Sequence, residues 1–241
     1  RVRRALNLAV NKQEIISSFY NGNAEMLAYP MHPDYIGYYE PLDKMPDSVK
    51  ELFTFNPAKA NQILDRLGFN RRNAQRVRLR PDGQPLFFAV DVIPTLYPDE
   101  VDSLELIKRH WAEIGVDMKI NTIERALYYT RGDNNDHDAA VWPGPGGLEP
   151  ITDPRDWVCQ HPQGSRWAIP WAVWYASNGR EGAEPPPNQK QRMELYDQAR
   201  ATADVRRLAE ATIAETGVRH GNLHLVPAEM VRSRHGHDRH D

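Results

Sequence analysis

The stretch "PLFFAVDVIPTLYPDEVDSLELIKRHWAEIGVDMKINT", residues 85–122, decides the fold. Its opening, "PLFFAVDVI" (85–93), is a nearly unbroken apolar run of strand length, rich in aromatic and β-branched residues. "DEVDSLELIKRHWAEIG" (99–115) then places apolar residues at helical intervals and ends on Gly115, a helix stop. "VDMKINT" (116–122) alternates apolar and polar residues, the period of a strand. A strand, a crossover helix and a strand with almost no linker before it predict a parallel, right-handed βαβ unit. "DAAVW" (138–142) follows as a short third strand, in which Ala140 and Trp142 share one face and Ala139 and Val141 the other.

Upstream, "VRRALNLAV" spaces Val2, Leu6, Ala9 and Val10 as a helix, and "NKQE" offers Asn11 as N-cap with Glu14 reaching back to it. Residues 29–55 carry Pro30, Pro33, Pro41 and Pro46 without a sustained period and read as an ordered loop. "NPAKANQILDRLG" is a signalled helix, capped by Asn56, opened by Pro57 and stopped at Gly68. Arg71, Arg72, Arg76, Arg78 and Arg80 precede an Asp82-Gly83 turn. Without interleaved aromatics they predict a solvated hairpin rather than a nucleic-acid patch. Residues 185–203 begin with prolines and become a helix with Met193, Leu195, Tyr196 and Ala199. The last segment can continue as helix, but "VRSRHGHDRHD" has no periodicity and is expected to fray.

A chain of 241 residues with 40% apolar content can bury a core of one large or two small domains. Thirty basic against 33 acidic residues give a net charge of −3, which argues against nucleic acid or an anionic membrane as main partner. No run of about 18 apolar residues is present to span a bilayer. Cys159 is the sole cysteine, so neither an intrachain disulfide nor a multi-cysteine zinc site forms. The chain opens on Arg1 inside a helical pattern, and we read it as a piece of a longer protein whose export signal belongs to the missing part.

The stretch "DAAVWPGPGGLEPITDPRDW" (138–157) raises the functional question. It lacks both the lysine and the glycine spacing of a phosphate cradle, and it has no GxSxG nucleophile elbow. A strand ending in tryptophan before a Gly/Pro loop instead fits backbone held close to a ligand under an aromatic cover. Trp142, Trp157, Trp167, Trp171 and Trp174 cluster here; the expectation is that they fill a Pro-rich core with at least one ring facing a cleft. "RGDNNDHD" (131–138) lacks EF-hand spacing and reads as a polar turn, so neither metal nor cofactor is expected. The tail histidines His235, His237 and His240 have no fixed scaffold for a metal. Glu149, Asp153 and Asp156 supply carboxylates that a glycan-active enzyme would use, although Asp153 before a proline reads more simply as a turn or helix cap.

Taken in order, "VRRALNLAVNKQEIISSFYNGNAE", "FNPAKANQILDRLGF", "DGQPLFFAVDV", "HWAEIGVDMKI" and "HDAAVWPGPGG" resemble the second large lobe of the family 5 extracellular solute-binding proteins. These are the peptide, nickel and related binding components of bacterial ABC importers. The resemblance covers residues 1–203, and 204–241 then forms a divergent helix and a disordered His-containing tail. It implies an α/β fold, a periplasmic-binding-protein-like lobe of type II with a mixed sheet flanked by helices. It further implies a receptor, periplasmic or extracellular, free or lipid-anchored in the full-length protein, that closes with a first lobe on its ligand and delivers it to a membrane permease. Such a receptor does no chemistry. Trp142, Gly144 and Gly146 are the cleft candidates, with Tyr128 and Arg131 as polar contributors. Peptide-binding members follow the tryptophan with a small residue and an aspartate that holds the peptide amine. Here Pro143, Gly144, Pro145 and Gly146 stand in that place, leaving Glu149 or Asp153 as replacements or an oligosaccharide or other neutral solute as the alternative ligand.

Overall fold

The computed structural model describes residues 1–26, 41–96, 98–142, 154–155, 158–201 and 231–233. Helices α1 (Val2–Leu8) and α2 (Lys12–Tyr20) run in series. Asn11 caps α2 by accepting the Glu14 backbone N–H at 3.2 Å. The other half of the expected capping box is absent, because the Glu14 carboxylate turns to Arg109 and to His110 Nε2 (2.8 Å) instead. A charged partner offers a stronger bond than a helix N–H already facing solvent.

Strand β1 (Ala24–Met26) follows α2. Within the expected loop, short helical turns form at Leu42–Lys44, α3 (Asp47–Lys50) and Glu51–Phe53, with Pro41 and Pro46 at N-cap positions where a missing N–H costs nothing. Helix α4 (Pro57–Arg66) starts as read, with Asn56 accepting the Lys59 N–H at 2.9 Å, and Gly68 leaves it at φ 89°. The hairpin turn at Asp82-Gly83 also forms, Gly83 adopting φ 84°. Arg78 corrects the reading of that segment: it is 2% exposed rather than solvated. Its guanidinium donates to Ile114 O (2.7 Å) and Asn61 Oδ1 (2.6 Å), and also to Phe69 O and the Asp65 carboxylate. A planar fork of donors tolerates burial where acceptors surround it.

The βαβ unit forms as predicted. β2 (Phe87–Val92), α5 (Pro98–Glu113) and β3 (Asp117–Thr122) place the strands parallel, in register from Phe87 opposite Asp117 to Val92 opposite Thr122. Helix α6 (Arg125–Asp133) absorbs residues 131–133, which sequence had assigned to a polar turn; the turn comes at Asn134 and Asn135 (φ 54°). β4 (Ala139–Ala140) then pairs parallel on the other edge of β2, Val90 opposite Ala139 and Asp91 opposite Ala140. The described three-stranded sheet, ordered β3-β2-β4, is therefore parallel throughout.

One core joins the sheet to α1, α2, α4 and α5 through Leu6, Leu64, Val90, Ile107 and Val116, and Trp111 Nε1 donates to Leu6 O at 3.1 Å. A second cluster lies around α7 (Ile169–Ala176) and α8 (Pro187–Ala201), where Val158, Cys159, Ala172, Met193 and Tyr196 are buried. Trp171 and Trp174 of α7, and Trp167 in the 3-10 turn just before it, pack half-buried against this cluster, with Pro170 tolerated in the first turn of α7. Met193, Tyr196 and Ala199 face inward from α8 as read.

Strand β5 (Val231–Ser233) pairs antiparallel with β1, Ala24 opposite Ser233. This part of the segment expected to fray is thus paired through its backbone, which needs no side-chain period. The rest of 204–241, including the three tail histidines, lies outside the described residues. Among the described residues, no helix is long and apolar enough to cross a membrane, and no group of three or more His, Cys, Asp or Glu gathers.

Candidate functional site

The carboxyl end of the parallel sheet gathers the candidate residues around one charged side chain. Asp91 sits at 1% exposure inside the apolar run of β2. A carboxylate so placed must be paired. Its Oδ1 accepts Asn121 Nδ2 from β3 at 2.7 Å, and its Oδ2 accepts Arg131 Nε from α6 at 2.8 Å. Arg131 also reaches Asp136 at 3.2 Å. The hydrogen bond to Asp91, followed by the nearby carboxylates, raises the Arg131 pKa further, so this guanidinium is permanently charged. On the same strand, the Ala89 N–H donates to Asp138 Oδ2 at 3.0 Å, tying the turn after α6 to β2.

The strand end at Val141 is held from both sides. Its N–H donates to Asp91 O at 2.9 Å, and its carbonyl accepts the Tyr128 hydroxyl at 2.9 Å. Val141 is buried in the main core, and partly buried Ala139 packs against it. Trp142 is half-buried, with its ring centroid 5.6 Å from Tyr128 and 5.8 Å from Tyr129. Arg125 lies over the Tyr129 ring at 5.3 Å and donates to its hydroxyl at 2.8 Å. The result is an aromatic shelf at the sheet end, edged by a cation. Ring faces of this kind suit stacking and apolar contact with a small ligand.

The structure thus brings Trp142, Tyr128 and Arg131 together. Tyr128 is 4% exposed and donates its hydroxyl to Val141 O, while the partly exposed Arg131 binds Asp91 and Asp136. Gly144, Gly146, Glu149, Asp153 and Asp156 lie outside the described residues. Sequence reasoning missed Asp91, Asn121, Tyr129 and Arg125. One signal was present: a lone carboxylate inside "FFAVDVI" demands a cationic partner. Cys159, in the second cluster, is 1% exposed, and burial pushes its thiol far above the usual range, away from thiolate chemistry.

Residues 1–159 match the family model for bacterial extracellular solute-binding proteins, family 5 Middle. The chain is 28% identical over 205 residues to Di/tripeptide-binding protein 1 of Pseudomonas aeruginosa (strain UCBPP-PA14), covering 82% of this chain and 34% of that protein. To the Dipeptide-binding protein of Escherichia coli (strain K12) it is 27% identical over 207 residues, covering 83% of this chain and 34% of that protein. Among solved structures, an oligopeptide-binding protein OppA superposes with a TM-score of 0.77 at 30% identity, over 90% of this chain and 35% of that one. The chain spans about a third of the length of the curated relatives it matches. With the whole parallel sheet and Trp142 inside the matched residues, this chain belongs to the family 5 bacterial extracellular solute-binding proteins.

Proposed function

We propose that this chain forms one face of the ligand cleft in the binding component of an ABC importer, capturing a peptide or similar small solute for a membrane permease. Residues 1–203 act as the second lobe, a first lobe supplies the opposite face, and the receptor works in the periplasm or outside the cell, lipid-anchored in the full-length protein. It holds its ligand without chemical change. The observation that carries this reading is Trp142: it lies half-buried just past the carboxyl end of a parallel strand, with its ring against two tyrosines. Ligands of open α/β sheets sit outside the carboxyl ends of strands. The relatives named for di- and tripeptides, dipeptides and oligopeptides support a peptide as the solute.

Calorimetry on the receptor that contains this chain tests the reading, with the dipeptide alanyl-phenylalanine and a neutral hexasaccharide as probes. The dipeptide is expected to bind and to be recovered intact. Binding of the sugar alone would overturn the peptide assignment. Hydrolysis of the sugar, lost in a Glu149→Gln variant, would overturn the receptor assignment. The 241-residue chain by itself is expected to bind more weakly than the two-lobe receptor, because a closed cleft buries about 70–90% of a small ligand's surface and one lobe cannot.

A further inference from the structure

We infer that the pair formed by buried Asp91 and partly exposed Arg131 is a positioning device for Trp142, and through it a determinant of ligand affinity; the affinity part rests on the cleft reading above. Four contacts close a loop around Trp142. The Asp91 backbone carbonyl takes the Val141 N–H at 2.9 Å, fixing β4 against β2. The Val141 carbonyl takes the Tyr128 hydroxyl at 2.9 Å, fixing β4 against α6. The Asp91 side chain takes Arg131 Nε at 2.8 Å, fixing α6 against β2. The Tyr128 and Tyr129 rings, one turn before Arg131 on that same helix, then meet Trp142.

Each member of the loop constrains the next. α6 is only 9 residues long and begins without a side-chain cap, so its own termini do little to fix its rotation. The pairing of β4 covers 2 residues, too few to set the direction of the chain that follows. What fixes the rotation of α6, and so the height of its tyrosines under the Trp142 ring, is the charge contact. Asp91 is 1% exposed and accepts from both Asn121 and Arg131, so its oxygens have one satisfied arrangement. Arg131 in turn bridges Asp91 and Asp136, which a shorter point charge such as lysine cannot do from one rotamer. A buried carboxylate with a charged partner is weak evidence for stability, and fixing geometry is its best-attested use. An aliphatic pair at these two positions would pack, but it would leave α6 free to turn under the shelf.

The test uses the 241-residue chain labelled with 5-fluorotryptophan, its six fluorine resonances assigned through single Trp→Phe variants. In the Asp91→Asn/Arg131→Gln double variant, which removes both charges together, the Trp142 resonance is expected to move or broaden. Trp111, pinned to Leu6 O in the main core, keeps its position. An unmoved Trp142 resonance overturns the inference. If the double variant does not fold, Arg131→Lys decides: a displaced Trp142 line in a folded chain supports the device, and an unchanged line refutes it. A second arm measures alanyl-phenylalanine affinity of the two-lobe receptor per folded molecule. The double variant is expected to bind roughly tenfold more weakly. If Trp142→Ala weakens binding while the double variant does not, the positioning inference fails alone. If Trp142→Ala leaves affinity unchanged, the cleft reading fails even where the fluorine result holds.

Discussion

Replacing Glu100 by glutamine is expected to reverse a pH-dependent loss of stability. Glu100 stands in the first turn of α5 at 8% exposure, and its Oε2 has no hydrogen-bond partner. Burial, and then the charge of neighbouring Asp99, raise its pKa from 4.5 to about 7. In the unfolded chain the carboxyl loses its proton near 4.5, whereas the folded chain holds it until about 7. Between those values the native state binds more protons, so stability falls as pH rises through this window and is flat above it. The gap between 4.5 and about 7, at about 1.4 kcal/mol per pH unit, sets a ceiling of about 3.5 kcal/mol, and partial hydration of the charged form lowers the expected loss to about 1–3 kcal/mol. Glutamine keeps the shape and cannot titrate. Urea denaturation of both proteins from pH 4.5 to 8 should show Glu100→Gln gaining on the parent as pH rises. At about 2–4 °C per kcal/mol, the difference is also visible in thermal melts. Every other ionisable group is common to both proteins, so its contribution cancels in the difference. A stability difference that stays constant across this range would refute the assignment of the shift to Glu100.

Arg78→Met should cost about 3–5 kcal/mol in urea denaturation, since it strips this donor from Phe69 O and leaves Ile114 O and Asn61 Oδ1 only the longer contacts from Arg72 Nη2, at 3.2 Å each. Asp65→Asn should cost less, because Asp65 is 53% exposed and water replaces the contact. Gly115→Ala should destabilise by about 1–3 kcal/mol in the same assay: Gly115 adopts φ 80°, and a Cβ there would lie 2.5 Å from Arg72 Nη1 and 3.0 Å from Arg76 O. Asn56→Ala removes the acceptor for the Lys59 N–H and should lower the melting free energy by about 1 kcal/mol.

The elements legible in the sequence were those set by local chemistry. The βαβ unit announced itself through a change of hydrophobic period from strand to helix to strand, and Gly115 marked the helix end because its φ of 80° excludes most side chains. Asn56 and Pro57 marked the start of α4 for equally local reasons. What stayed hidden was tertiary choice. Nothing near Glu14 indicates that its carboxylate prefers Arg109 and His110 to its own helix, and nothing near Arg78 separates it from the exposed arginines around it. Arg131 belonged by composition to a turn of Gly, Asp and Asn, yet the demand of buried Asp91 for a cation draws it into α6. Trp142 was readable as a site candidate from its position at a strand end before a Gly/Pro loop. Its brace of Tyr128 and Tyr129 was not, because the pairing depends on how α6 rotates against the sheet.

The cleft assignment meets its most direct test in Trp142→Ala, with ligand affinity and folding stability measured on the same two-lobe receptor. A half-buried ring braced against Tyr128 and Tyr129, outside the main core, should be an affinity group first. Calorimetry with alanyl-phenylalanine is expected to show binding weaker by about 1–3 kcal/mol, with a stability cost below the roughly 3–5 kcal/mol of a deleted core aromatic. A receptor that unfolds on this substitution, while the folded fraction keeps its affinity, would show that Trp142 belongs to the core and that the ligand is held elsewhere.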